Sequence, residues 1–186
     1  MKKSTVVILI VVAALLLLVA LPVGNYNSLV SASTAVETQR ANIQTQLQRR
    51  ADLIPNLVAT VQNFTTHETD VFNAVTDARA SLLAARTAPE MAAADGEMTA
   101  ALGGLVAIAE AYPELKSDAV YVGLMDELAG TENRIAVVRK DYNDAVQSYN
   151  LSIRRFPGVL FARLFGFGAA DYFEADAGAQ AVPSVS

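Results

Sequence analysis

The chain has no cysteine, no tryptophan and one histidine in 186 residues. Without cysteine there is no disulfide framework and no thiolate chemistry. A protein metal site needs three or four converging ligands. His67, in "THETD" (66–70), has one such neighbour at helical spacing, Asp70. That pair reads as a solvated helix face, and no metal is assigned. Positive charge is also scarce: 14 Lys and Arg stand against 19 Asp and Glu, a net charge of -5. An acidic balance argues against nucleic acid as a partner. There is no glycine-rich phosphate loop, no ordered Ser/His/Asp set and no hydrolase elbow. The chain is therefore read as non-enzymatic, with no catalytic or cofactor-binding residue and no cofactor.

Charge is missing altogether from Val6 to Val23. As a helix this run is about long enough to cross ~30 Å of hydrocarbon. Lys2 and Lys3 precede it, and the next basic residue is Arg40. That asymmetry predicts a single-pass membrane anchor over 1–24, with a cytoplasmic N-terminus and the helical remainder extracytoplasmic. Cleavage as a signal peptide is the competing expectation. The apolar run is longer than a usual signal core, and the small-x-small sites near Ala20 or in "VSASTA" are poor or late.

Beyond the run the pattern is helical. Steps of three and four from Tyr26 visit Leu29, Ser33, Val36, Arg40, Ile43, Leu47, Arg50, Ile54, Leu57, Val61, Phe64, Glu68, Val71, Val75, Ala78, Leu82 and Ala85, mostly apolar, with Ser33, Arg40, Arg50 and Glu68 as scattered exceptions. This spacing marks one apolar face. Pro55 falls inside the series without resetting its phase. An interior proline costs a helix about 3 kcal/mol and frees the carbonyl four residues back, here near Ala51. The continuous phase favours one kinked helix to about Ala85, and the alternative is a turn at Asp52–Pro55 that starts a new helix. "RTAPE" then opens a helix to about Ala111, with Thr87 and Glu90 as a capping box. Gly103 and Gly104 in it weaken the helix or permit close packing. Pro113 opens a third helix, whose stripe runs Tyr121, Leu124, Leu128, Thr131, Ile135, Val138, Tyr142, Ala145, Tyr149, Ser152, Phe156. "FPGV" ends it. Asp171 with Glu174 is placed to cap one last turn, and 177–186 reads as a disordered tail.

"YNSLV" (26–30), "QLQRRADLIPNLVATV" (46–61), "YPELK" (112–116), "TENRIAVVRKDYNDAVQSYN" (131–150), "RFPGVLFARLFGF" (155–167) and "YFEAD" (172–176) together resemble the LemA family of bacterial membrane-anchored helical proteins. The resemblance spans Tyr26 to about Asp176. It implies a helical bundle of three to four antiparallel helices over 25–176, behind one N-terminal membrane helix. It carries no catalytic set to transfer. Some relatives act in building bacterial membrane compartments, and others sit beside membrane-protease genes.

Two groups of residues stand out as candidate contacts. Arg49, Arg50, Asp52 and Asn56 flank Pro55, either capping and solvating the freed backbone or forming a polar patch for a subunit or partner. Arg154, Arg155, Phe156, Phe161, Arg163, Phe165 and Phe167 form a short basic and aromatic segment. It suits a lid over the bundle end, a subunit contact or a membrane interface with arginines toward phosphates. The two meanings of Pro55 bear on this segment: a turn would return it to the bilayer, whereas a kink would leave it away from its own membrane. The Tyr-Asn pairs at 142–143 and 149–150 read as buried tyrosines bonding across the bundle, or as a stacking platform. Glu132, Arg134, Arg139 and Asp141 read as exposed salt bridges. The function expected is a membrane-anchored scaffold that self-assembles as a homo-oligomer and organises or shapes the membrane. The alternative is a monomeric adaptor or sensor that regulates a membrane protease or signalling partner.

Overall fold

A computed structural model describes residues 3–65 and 67–174, and the side chains of 3–11 and 13–21 are outside that description. The tail expected at 177–186 and the side chains of most of the apolar run therefore lie outside the described residues. Among the described residues there are six helices and no strand: α1 Lys3–Gln62, α2 Thr69–Ala84, α3 Ala88–Ala111, α4 Pro113–Lys116, α5 Ala119–Arg154 and α6 Gly158–Phe165. The all-α class read from the periodicity holds. The apolar run and the start of the bundle are one unbroken helix, α1.

α1 passes through Pro55, so no turn forms at Asp52–Pro55. The helix does not reach Ala85, however. It ends at Gln62, and α2 begins at Thr69. Asn63 and Thr65 favour a break here, since short polar and β-branched side chains are weak helix formers. Thr65 is buried, and its hydroxyl accepts from the Tyr112 hydroxyl at 3.3 Å and from the His67 N–H at 3.4 Å. His67 thus sits in a connection rather than on a helix face. The apolar series kept its phase because both helices bury the same kind of stripe, and a stripe carries no mark of direction.

Two compact units make up the chain. The second joins Gln39–Asn143 to Asp171–Ser186. In it α1 and α2 run antiparallel: Arg40 bonds the Arg86 carbonyl, and Arg79 bonds the Ala51 carbonyl. Thr87 starts α3 with a complete capping box, its hydroxyl accepting from the Glu90 N–H while Glu90 accepts from the Thr87 N–H. α3 returns along α2 so closely that a Cβ on Gly104 would lie 3.0 Å from Val71 Cγ1, whereas Gly103 faces open space. The long helix α5 is opened by Asp118, and Pro113 opens only the short α4. Asp118 Oδ1 accepts from the N–H groups of Val120 and Tyr121, both at 2.9 Å. Ile43, Leu57, Val75, Met98, Leu105 and Ile135 fill the core of this unit with almost no exposure.

By length and composition α3 is apolar enough to cross a membrane. Its setting is that of a core helix. Met91, Met98 and Leu105 are buried along one face, and Asp95 is fully buried in mid-helix against two arginines. A capping box at its start and a buried ion pair at its centre are features of a helix packed in a protein core.

The first unit joins Met1–Thr38 to Asp144–Ala170. α1 contributes the buried Leu29 and Val36, α5 contributes Val146, Tyr149 and Ile153, and α6 contributes Ala162. The expected α5 stripe ended on Phe156 as a packed residue. That residue is 82% exposed instead, because α5 stops at Arg154 and the chain turns.

Candidate functional site

In the first unit the chain reverses after Arg154 and forms α6. Gly158 makes this approach possible, since a Cβ there would lie 2.2 Å from the Ser152 carbonyl oxygen. Gly158 and Ala162 face inward, one turn apart. At the far end Gly166 takes a left-handed φ of 78°, a conformation glycine adopts without strain, and closes the helix. The following turn brings Phe165 and Phe167 against Tyr26 of α1. Their ring centroids lie 4.9 and 5.9 Å from that of Tyr26, both edge to face. Pro22, Val23, Tyr26 and Phe165 line a wholly apolar cleft beside this contact.

The outer surface of the same segment is unusual for a protein surface. Phe156, Leu160 and Leu164 are 82%, 57% and 72% exposed. Arg154, Arg155 and Arg163 are exposed around them, whereas Phe161 is half-buried. Of the seven residues expected to act together here, the structure places all in one short reversal, with Phe165 and Phe167 turned to Tyr26. The kink reading of Pro55 implied a segment far from the anchor. The break at 63–68 removes that implication, because the chain reverses there and comes back to Tyr26.

The Tyr-Asn pairs hold an extended segment, not each other. In the first unit, Tyr149 donates to the Gly168 carbonyl at 2.7 Å, and the Asn150 amide both donates to and accepts from the backbone of Ala170 at 2.9 Å. In the second unit, Tyr142 donates to the Asp171 carbonyl at 2.8 Å, and Asn143 bonds both backbone groups of Phe173 at 3.0 and 2.9 Å. Residues 171–174 are accordingly extended, and the helical turn expected at Asp171–Glu174 does not form. Burial pushes the Tyr142 and Tyr149 phenols up from their ordinary value.

The five candidates around Pro55 do not form one patch. Arg50 is 4% exposed and lies in the core of the second unit. It bonds Asp95 Oδ1, the Thr99 hydroxyl at 3.1 Å and Glu132 at 2.7 Å. Burial lowers its pKa, and the charge of Glu132 opposes that shift. Arg139 pairs with the other oxygen of Asp95 and lies 4.7 Å over the ring of Phe173. Glu132 and Arg139, both part-exposed, therefore close the rim of a network centred on the buried Asp95 and Arg50. Arg49 is exposed and pairs with Glu127 of α5, which holds that carboxyl below its usual value. Asp52, Pro55 and Asn56 are exposed, and Asp52 accepts from Gln48 at 2.8 Å. The freed Ala51 carbonyl is met by Arg79 Nε at 2.8 Å, a residue the sequence reading passed over. Asp95 was missed too, although an acid that directly follows the apolar run "MAAA" (91–94) is the kind of signal that marks a buried partner.

The LemA family model matches residues 39–186. Magnetosome proteins MamQ 1 and MamQ 2 of Paramagnetospirillum magneticum are each 30% identical over 182 residues, covering 84% of this chain and 67% of theirs. Magnetosome protein MamQ of Magnetospirillum gryphiswaldense is 29% identical over 174 residues, covering 80% of this chain and 64% of its own. The match covers most of the chain, and the chain belongs to the LemA family.

Proposed function

We propose that this protein is a membrane-anchored, non-enzymatic helical scaffold that self-assembles and organises the membrane it sits in. The observation that carries the reading is the continuity of α1, in which the uncharged run Val6–Val23 and the first helix of the bundle are one element. Such a helix joins an anchor to a bundle without a linker. The likeness to magnetosome proteins supports a place at a membrane compartment. The buried polar groups support a structural role. Arg50 and Asp95 are committed to ion pairs, Asn150 to a backbone clamp, and the Thr131 hydroxyl to the Glu127 carbonyl of its own helix. The proposed orientation has the N-terminus in the cytoplasm and the bundle outside it, and protease added to intact right-side-out cells should then remove the bundle.

The test is electron microscopy and light scattering of the full chain, in mild detergent and on liposomes. Oligomers that grow with concentration, and ordered arrays on liposomes, are expected. Monomers at every concentration on unchanged liposomes would overturn self-assembly. Stoichiometric recovery of a different membrane protein from native membranes would instead favour an adaptor.

A further inference from the structure

We propose that α6 with its flanks is a lipid-binding wedge that lies in the headgroup layer of an anionic bilayer, beside the anchor. The proposal rests on the reading of residues 6–23 as membrane-spanning. Three observations carry it. The first is position: Tyr26 lies three residues beyond the last residue of the apolar run, and Phe165 and Phe167 pack on its ring. A spanning run that ends at Val23 puts Tyr26, and with it α6, at the depth where aromatic belts form.

The second observation is the direction of the exposed face. Gly158 and Ala162 are buried, so the face opposite them points away from the unit. At about 100° per residue that face is centred on Leu160 and Leu164, with Arg163 on its flank about 60° from Leu160. Phe156, 82% exposed, extends the apolar surface past the helix start. Apolar side chains outward with arginines at the margin is the arrangement of an interfacial helix, which buries its apolar side about 5–10 Å into the headgroup boundary.

The third observation is charge. From residue 145 to 170 there are three arginines and no Asp or Glu, in a chain whose net charge is -5. Positive charge concentrated on the one segment that touches the end of the apolar run matches anionic phosphates.

The absence of tryptophan makes the test clean. Leu164→Trp and Val12→Trp each create a single fluorophore at an exposed position. Both full-length variants are reconstituted into phosphatidylcholine–phosphatidylglycerol vesicles that carry dibrominated acyl chains. Strong quenching of both is expected. Bromines near the glycerol backbone should quench Leu164→Trp most, and deeper bromines Val12→Trp. Quenching of Val12→Trp alone would overturn the wedge and leave the anchor standing. Quenching of neither would overturn both. A blue-shifted but unquenched Leu164→Trp signal would mean that protein covers the face, and that also overturns the wedge.

Discussion

Arg79 Nε donates a hydrogen bond of 2.8 Å to the carbonyl oxygen of Ala51, the acceptor that Pro55 leaves without its helical partner. The two residues are 28 positions apart and on antiparallel helices of the second unit. An exposed proline inside α1 is thus tolerated because α2 supplies the missing donor. Arg79→Leu should destabilise the protein by about 1–3 kcal/mol, the cost of leaving a buried acceptor unpaired. In a Pro55→Ala background the residue 55 N–H can close the helical bond, and the same change should cost much less. Denaturant unfolding of the four variants measures this coupling. Equal costs in both backgrounds would refute the link.

Asp95 is fully buried between Arg50 and Arg139. Asp95→Ala removes the buried carboxylate shared by the buried Arg50 and the part-exposed Arg139, leaves Arg50 with Glu132 alone, and should cost about 3–5 kcal/mol. Replacing Arg50, Asp95 and Arg139 together by apolar residues of similar size should recover most of that loss. Thermal unfolding reads both effects. A triple variant no more stable than Asp95→Ala would show that the network is more than mutual neutralisation.

The clamps on the extended segment predict two separable losses. Asn150→Ala should speed amide exchange at Ala170, and Asn143→Ala at Phe173, each by about fivefold for a bond worth ~1 kcal/mol. Burial raises the Tyr142 and Tyr149 pKa values above their ordinary 10.0. A raised folded-state value means that the neutral phenol stabilises the fold at pH below 10 and that this contribution disappears as pH rises through the raised value. Hydrogen exchange and phenolate absorbance, followed together upward from pH 10, should show the segment loosening as the phenols ionise. Tyr142→Phe with Tyr149→Phe should remove that alkaline step.

At the start of α3, hydrogen bonds from the Thr87 and Arg86 N–H groups hold the Glu90 carboxyl below its usual value of 4.5. A lowered folded-state value gives stability at pH above 4.5 that is lost as pH falls through the lowered value. Thr87→Ala should cost about 1 kcal/mol at neutral pH. Glu90→Gln should flatten the acid limb of the stability curve, measured by urea unfolding from pH 6 to 3.

The sequence by itself determined what depends on near neighbours. The apolar series Leu29, Val36, Ile43, Leu47, Ile54, Leu57, Val61 is buried as its spacing requires, and the Thr87–Glu90 box forms as its i, i+3 spacing allows. The all-α class, the continuation of α1 through Pro55 and the family followed from the same local patterns and motifs. Only the tertiary structure decided where the chain reverses and which polar groups meet. Periodicity is blind to direction, so the stripe ran on through 63–68 as though no break existed. Arg79 with Ala51, Arg50 with Asp95, and Asn143 with Phe173 are 28, 45 and 30 residues apart. Each pairing is fixed by how one helix lies on another, not by spacing along the chain. The same holds for Tyr26 and Phe165, which neither local propensity nor charge pattern could have joined.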